Sequence, residues 1–305
     1  MDKGLKLVGE SPWIKEITKV IETIKDQNVP VLITGETGTG KELIARIIHF
    51  TSIRKDKPFI PVSCASIPHE LFESELFGHK KGSFTGAVSD KEGLVEAASF
   101  GTLFLDEVDE LSLSAQAKLL RTLDTGEIRR IGETEFRYVD FRLICATSKD
   151  LKSLAEQNKF RIDLYFRIDV ISIHCIPLRE RKEDIIPIAQ YYISQFEPEM
   201  RSDEITDEAK ELLLSYYWPG NVRELIQEIK YAILHAENGV ITKNSLSETV
   251  KKGGKTPDIP SMKEYLKKAQ KEYALKILKM TNGNKKKAAE ILRIDYSTLY
   301  RIINQ

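Results

Sequence analysis

Residues 29–50 read VPVLITGETGTGKELIARIIHF. The first six form a short apolar run of the kind that makes a buried parallel strand. Gly35-Glu36-Thr37-Gly38-Thr39-Gly40-Lys41 then follow the spacing G-x-x-x-x-G-K, with Glu42 where a serine or threonine is usual. Apolar residues recur at helical spacing through KELIARIIHF. Strand, glycine-rich loop and helix in this order make a phosphate cradle. The glycines let backbone N–H groups turn inward, the helix N-terminus adds its positive dipole, and Lys41 reaches the terminal phosphates.

Outward from this stretch, the apolar runs 58–64 (PFIPVSC), 101–107 (GTLFLDE) and 141–147 (FRLICAT) alternate with helical patterns. Alternation of this kind predicts an α/β fold, a parallel sheet flanked by helices. From about 177 to 250 only helical patterns remain. Residues 251–261, KKGGKTPDIPS, read as a linker, and residues 262–305 as a small helical domain. The expected division is therefore 1–176, 177–250, linker 251–261 and 262–305. The run Leu103–Leu105 ends in Asp106 and Glu107. A strand ending in two acids suits a Mg²⁺ site beside a base: Asp106 to hold the metal directly or through water, Glu107 to orient and polarise the attacking water. A strand that merely ends in a solvated acidic turn is the plainer reading, but its pairing with the phosphate loop favours an ATPase.

Composition bounds the rest. Of 305 residues, 41% are hydrophobic and 30% charged, which fits a soluble globular chain and excludes extended disorder, collagen and a lone coiled coil. No apolar run nears the roughly 18 residues of a membrane helix, and the first ten residues lack a signal-peptide core. Three scattered cysteines, Cys64, Cys145 and Cys175, suit reduced thiols in the cytoplasm. The net charge is zero, yet residues 251–305 carry a net +9, so residues 1–250 carry −9. A basic tail on an acidic body points to nucleic acid at the tail.

The tail itself reads as helices. Tyr265, Leu266, Ala269, Tyr273, Ile277 and Leu278 share one stripe of a helix over 262–280, which Asn282-Gly283-Asn284 break. Asn284 can cap KKKAAEIL, and Asp295 a last helix from Tyr296 to about Ile303. Helix, short turn, helix is a DNA-reading module whose second helix enters the major groove. Candidate contacts are Tyr296, Ser297, Thr298, Tyr300 and Arg301, with Lys285, Lys286 and Lys287 on phosphates. A basic three-helix bundle without a DNA role is the competing reading.

With these motifs stand ESELFGHKKGSFTGA (73–87), GTLFLDEVDEL (101–111), VDFRLICATSKDL (139–151), FRIDLYFRI (160–168), PLRERKEDI (177–185) and WPGNVREL (218–225). Together, over nearly the whole chain, they resemble the sigma-54-dependent transcription activators. These are bacterial enhancer-binding proteins of the AAA+ ATPase superfamily, usually with a Fis-type helix-turn-helix. The resemblance implies an α/β AAA+ core, an all-α lid, and ATP with Mg²⁺ as cofactors. It implies a DNA-bound dimer that assembles into a ring, expected to be a hexamer, and remodels sigma-54 RNA polymerase holoenzyme. The phosphate loop Gly35 to Glu42 includes the family's own Glu42. The loop Gly82-Ser83-Phe84-Thr85-Gly86-Ala87 matches the family's GAFTGA, with Ser83 for alanine, and implies a sigma-54 contact through Phe84 and Thr85. Glycine hinges that expose an aromatic and a hydroxyl suit a mobile partner contact; a tight turn burying Phe84 is the alternative. Arg161 and Arg167 match arginines supplied to the neighbouring subunit's nucleotide, since an always-charged planar group suits developing phosphate charge. Salt bridges to Asp163 or Asp169 are their plainer use. Arg223 matches the lid's sensor arginine, and Thr147 the sensor at the end of a buried strand.

Some positions depart from the family. Ser63 replaces an asparagine thought to hold the catalytic glutamate inactive. Serine is shorter, which weakens the case for direct contact with Glu107 and leaves room for a bridging water. Ser148 replaces a common asparagine and Asp109 a common glycine, and neither is expected to touch the core chemistry. Arg293 falls where glycine is frequent, which predicts a tighter or differently angled turn. Relatives usually carry a sensory domain in front, whereas here the resemblance begins within ten residues of Met1. A DNA-binding regulator derived from the AAA+ fold but without sigma-54 remodelling is the alternative function; intact Lys41, Asp106, Glu107, Arg161 and Arg167 argue against it.

Overall fold

The four apolar runs lie side by side in one parallel sheet of a computed structural model that describes residues 5–198, 205–253, 262–281 and 283–304. In chain order the elements begin α1 Pro12–Ile24, β1 Val31–Gly35, α2 Lys41–Phe50, β2 Phe59–Ser63, α3 His69–Phe77, α4 Leu94–Ala97 and β3 Thr102–Asp106. Next come α5 Leu113–Thr125, β4 Glu127–Ile128, β5 Arg137–Tyr138, β6 Arg142–Thr147, α6 Leu151–Glu156, α7 Ile162–Ile168 and β7 Ile171–Cys175. Helices α8 Ile185–Phe196, α9 Asp207–Ser215, α10 Asn221–Leu234 and α11 Glu248–Lys251 follow, then α12 Met262–Met280, α13 Lys285–Leu292 and α14 Tyr296–Asn304.

Residues 1–254 form one compact unit and 255–305 another. Most of the expected linker lies outside the described residues, as does Asn282.

The sheet order is β2-β3-β6-β1-β7. All six residues of β6 are buried, as its continuous apolar run requires of a central strand. Packing on one face joins Ile33, Ile44, Ile48, Phe104 and Ile144 to the α1 stripe Ile17, Ile21 and Ile24. On the other, Leu103, Leu105, Leu143 and Cys145 meet Phe72, Leu76, Leu119 and Leu164. Helix α1 starts where it does because Ser11 caps it, accepting from the Ile14 N–H at 3.3 Å, and proline follows at the first helical position. Strand β7 is absent from the predicted runs. Its sequence ISIHC alternates, burying Ile173 and Cys175 while Ser172 and His174 face out, which fits an edge strand.

Register decides what the sheet displays. Ser63 pairs with Asp106, and Thr34 with Thr147. The phosphate loop, the two acids, Ser63 and Thr147 therefore emerge together at the carboxyl edge, where open α/β sheets place ligands.

The segment after β7 is helical, as its patterns predict, and has a core of its own: Ile185, Ile188, Ile193, Leu213, Leu225 and Ile229 around Trp218. Trp218 is fully buried and satisfies its indole N–H on the Leu213 carbonyl at 2.8 Å.

In the second unit, Ala274, Ile277, Ala288, Ala289 and Leu299 form the core, with Leu278 partly buried against it. The stripe predicted for α12 is only half used: Tyr265, Leu266, Ala269 and Tyr273 are exposed. Helices α13 and α14 have 8 and 9 residues, too short to cover the 19 of α12. Asn284 caps α13 as expected, its Oδ1 accepting from the Lys287 N–H at 3.1 Å. The turn after α13 does not tighten around Arg293. Arg293 itself takes the left-handed conformation a glycine would supply, with φ 54° and ψ 42°.

Candidate nucleotide site and signature loop

The phosphate loop and the lid enclose a cleft of about 460 Å³ whose lining includes Thr37, Gly38, Lys41, Asp106, Glu107 and Arg223. Gly38 must be glycine: its φ is +81°, and a Cβ there would lie 2.2 Å from the Gly220 carbonyl oxygen. Lys41 Nζ donates to the carbonyls of Gly35 at 2.8 Å and Glu36 at 3.1 Å. Burial lowers the Lys41 pKa, and the neighbouring Asp106 works in the opposite sense. Burial raises the Asp106 pKa above the usual carboxylate range. Its Oδ1 accepts the Glu107 N–H at 3.0 Å.

Glu107 takes a left-handed backbone, φ 56° and ψ 47°, the strained turn by which the chain leaves β3. Ser63 reaches Glu107 directly, its hydroxyl donating to Oε2 at 3.2 Å. The bridging water that serine's shortness suggested is not required, because the register sets Ser63 beside Asp106, one residue from Glu107.

The Thr39 hydroxyl donates to the Glu36 carbonyl at 2.7 Å, whereas Glu42 lines the cleft and pairs with Arg46 at 2.7 Å. Thr147 is fully buried. Its hydroxyl donates to Asp109 Oδ1 at 2.5 Å and accepts the Lys149 N–H at 3.0 Å, while Ser148 lines the cleft. Asp109 also pairs with Lys149 at 2.8 Å. Asp109, which stands in place of a common glycine, is thus in direct contact with Thr147.

Away from the cleft, Gly82–Ala87 forms a closed turn in which the Gly82 N–H donates to the Ala87 carbonyl at 2.8 Å. Gly82 and Gly86 have φ of +81° and +107° with open space around them, while Thr85 is exposed. Phe84 is 36% exposed, its ring edge-on to His79 at 5.0 Å, and the Ser74 hydroxyl lies 2.6 Å from His79 Nδ1. The turn thus rests one side of Phe84 on a fixed imidazole and leaves the other to solvent. Ser83 packs against Gly132, and its hydroxyl is buried with no hydrogen-bond partner among the described residues.

Comparison with known proteins decides the family. Residues 7–174 match the family described as the Sigma-54 interaction domain, 179–263 the AAA+ ATPase lid domain, and 265–305 the bacterial regulatory proteins of the Fis family. The chain belongs to the sigma-54-dependent transcription activators. The response regulator protein PilR of Pseudomonas aeruginosa is 40% identical over 97% of this chain and 69% of its own length. The Nif-specific regulatory protein of Azospirillum lipoferum is 49% identical over 79% of this chain, which spans 39% of that relative. A crystal structure of NtrX from Brucella abortus in complex with ADP superposes with a TM-score of 0.72 at 30% identity, covering 99% of this chain and 69% of that one.

As a sigma-54-dependent activator the chain is an AAA+ ATPase with a Fis-type helix-turn-helix, and the alternative of a regulator without sigma-54 remodelling is not favoured. Two of the activator's expected arginines lie off its own cleft. Arg161 pairs with Asp163 at 2.7 Å; Arg167 donates to the Leu123 carbonyl at 2.6 Å and pairs with Asp124 at 3.2 Å. Beside them Ile162, Phe166 and Val170 are exposed.

In the second unit a groove of about 650 Å³ runs past Lys286, Arg293, Tyr296 and Thr298. Lys285, Lys286, Lys287, Ser297, Tyr300 and Arg301 are exposed, and Thr298 is half-buried. Lys285 Nζ stands 5.2 Å from the Tyr300 ring centre. Among the described residues no helix is long and apolar enough to cross a membrane.

Sequence reasoning missed an apolar recess beside the phosphate loop, lined by Leu7, Val8, Trp13, Ile14, Ile188 and Tyr192 among others. Its lining comes from four segments, around residues 6–14, 39–44, 181–192 and 222, and only the fold unites them.

Proposed function

We propose that this activator hydrolyses ATP at the cleft between phosphate loop and lid, and spends that energy on the sigma-54 RNA polymerase holoenzyme through the Gly82–Ala87 loop. The observation that carries the reading is convergence: Lys41, Asp106, Glu107 and Arg223 line one cleft although they span 182 positions of sequence. The backbone of Gly35–Gly40 cradles the phosphates, with the α2 N-terminus behind it. Lys41 grips the terminal phosphates, and Arg223 reaches them from the lid. The recess at Leu7, Trp13 and Ile188 takes the base, whose apolar faces suit it. Asp106 would hold Mg²⁺, one carboxylate and the phosphates being that ion's usual ligands, and the ion when bound would neutralise developing phosphate charge. Glu107 orients and polarises the attacking water. Ser63 holds it back until the signature loop engages, and Thr147 senses the nucleotide through its neighbours.

Arg161 and Arg167 serve the next subunit. Neither lines its own cleft, and exposed Ile162, Phe166 and Val170 beside them suit a subunit contact. A ring follows, with six subunits as the expected number. Gly82, Ser83, Phe84, Thr85, Gly86 and Ala87 make the sigma-54 contact, with Phe84 and Thr85 as its tip. In the second unit, α14 reads double-stranded DNA through Tyr296, Ser297, Thr298, Tyr300 and Arg301, while Lys285, Lys286 and Lys287 bind phosphates. Tyr265, Leu266 and Tyr273, uncovered on α12, suit pairing with a second copy on DNA. The organisation is a nucleotide-binding part to residue 176, a lid to 250, a linker to 261 and the DNA-binding part beyond, acting in the cytoplasm.

Deleting residues 257–305 tests the division of labour. Specific binding to an upstream site is lost in a gel shift, because the basic tail supplies the phosphate attraction and the acidic remainder repels DNA. ATPase activity persists at high protein concentration but depends more steeply on it, since DNA no longer raises the local concentration for ring assembly. A truncated protein that still shifts its site specifically would contradict the assignment of α13 and α14.

A further inference from the structure

The phosphate loop is fastened to the lid by side chains that never enter the cleft. Glu36 belongs to that loop, yet its carboxylate turns away from the phosphates. It accepts both arms of Arg179, at 2.7 and 2.5 Å, and the Asn221 amide at 3.2 Å. Arg179 holds the Glu36 carboxyl below the usual range. The other face of the Arg179 guanidinium lies 4.8 Å from the Tyr217 ring centre. Asn221 is fully buried with a left-handed backbone, φ 53°. Its Oδ1 accepts the Leu178 N–H at 2.8 Å, and its amide nitrogen also donates to the Thr37 carbonyl at 3.1 Å. The Arg223 N–H donates to the Gly38 carbonyl at 3.2 Å, and Arg181 to the Thr39 carbonyl at 2.9 Å. Four successive loop residues, Glu36 to Thr39, are thus held by partners at 179, 181, 221 and 223.

We propose that Glu36, Arg179 and Asn221 act as positioning residues for ATP hydrolysis, a latch that ties the shape of the phosphate loop to the position of the lid. The proposal rests on the cleft's being the ATPase site. A bidentate arginine–carboxylate pair fixes distance and orientation together, which a single hydrogen bond does not. The buried amide of Asn221 leaves no slack, because rotating it breaks the bonds to Leu178, Glu36 and Thr37 at once. The loop therefore cannot relax around lost phosphates without displacing the start of α10, which carries Arg223. Nucleotide state is passed from the loop to the lid by this latch, and lid position in turn sets nucleotide affinity.

A double-mutant cycle in the full chain tests it, reading KM for ATP, kcat, and the Kd of a fluorescent ADP analogue. Glu36→Gln keeps the shape and removes the charge; Arg179→Met keeps the stem and removes the fork. Each raises the Kd for ADP and the KM for ATP by about 10- to 100-fold, the usual cost of a charge-assisted pair, and lowers kcat by a smaller factor. The double variant is no worse than either single one, because the two act as a unit. Arg179→Lys, which keeps the charge but not the fork, recovers only part of the affinity. If Arg179→Met fails to fold, Arg179→Lys completes the same cycle. Additive losses, or a fall in kcat with unchanged Kd and KM, would overturn the latch. Wild-type protein that hydrolyses ATP normally while Lys41→Ala does not keeps that failure distinct from failure of the ATPase reading.

Discussion

Lys41→Ala abolishes ATP binding, whereas Glu107→Gln binds ATP as wild type does and turns it over at least ~100-fold more slowly, the range expected when a positioned base is lost. The two side chains share a cleft but not a task. Lys41 is the cation at the start of α2, and the loop carbonyls of Gly35 and Glu36 aim its amine along the phosphate path. Removing it deletes the main charge that grips the terminal phosphates. Glu107 stands beyond Asp106, on a strained turn and in contact with Ser63 rather than with the loop. Glutamine keeps its size and its contact with Ser63 while losing the negative charge that polarises water. Equilibrium binding of a fluorescent ATP analogue together with steady-state phosphate release separates the two. Equal loss of affinity in both variants would contradict the assignment.

Arg161→Ala or Arg167→Ala subunits alone hydrolyse ATP about 10³-fold or more slowly than wild type, the usual contribution of an arginine on developing phosphate charge. Adding excess Lys41→Ala subunits restores part of the turnover. The Lys41 variant cannot bind ATP, yet it offers intact arginines to a neighbour that can. Rescue requires the two defects to sit on opposite sides of one interface, and the structure places both arginines outside the residues lining their own cleft. Activity is measured against mixing ratio at fixed total protein, with ring formation followed by light scattering. No rescue at any ratio, in rings that still form, would assign Arg161 and Arg167 to their surface ion pairs with Asp163 and Asp124.

The phosphate loop was legible because its chemistry is local: strand, turn and helix lie within 22 consecutive residues, and each glycine has a reason visible in the spacing. Four of the five sheet strands are legible as apolar runs; β7 is not, because exposed Ser172 and His174 interrupt its apolar residues. What sequence could not show is what the register and the lid bring together. Asp109 reads as a variable position in an acidic turn until β6 sets Thr147 against it, 38 residues on. Glu36 reads as one more phosphate-loop residue until the lid presents Arg179, 143 positions away. The α12 stripe was over-read for a related reason: periodicity shows that a face is apolar but not how far its neighbours extend along it. Arg293 shows the limit of substitution logic. The turn kept its left-handed geometry and the arginine adapted, at the modest cost of placing a side chain at positive φ.

The Gly82–Ala87 loop is the proposed point where hydrolysis reaches sigma-54. The direct measurement is complex formation with purified sigma-54 in the presence of ADP and aluminium fluoride, comparing wild type with Thr85→Ala by native gel, alongside each protein's ATPase rate. Thr85 is exposed on a glycine-hinged turn and is absent from the cleft lining, so its hydroxyl is expected to act outside the hydrolysis step. The predicted result is a trapped complex for wild type and none for Thr85→Ala, with ATPase rates within about twofold of each other. A Thr85→Ala protein that traps sigma-54 as well as wild type would rule out the Gly82–Ala87 loop as the sigma-54 contact.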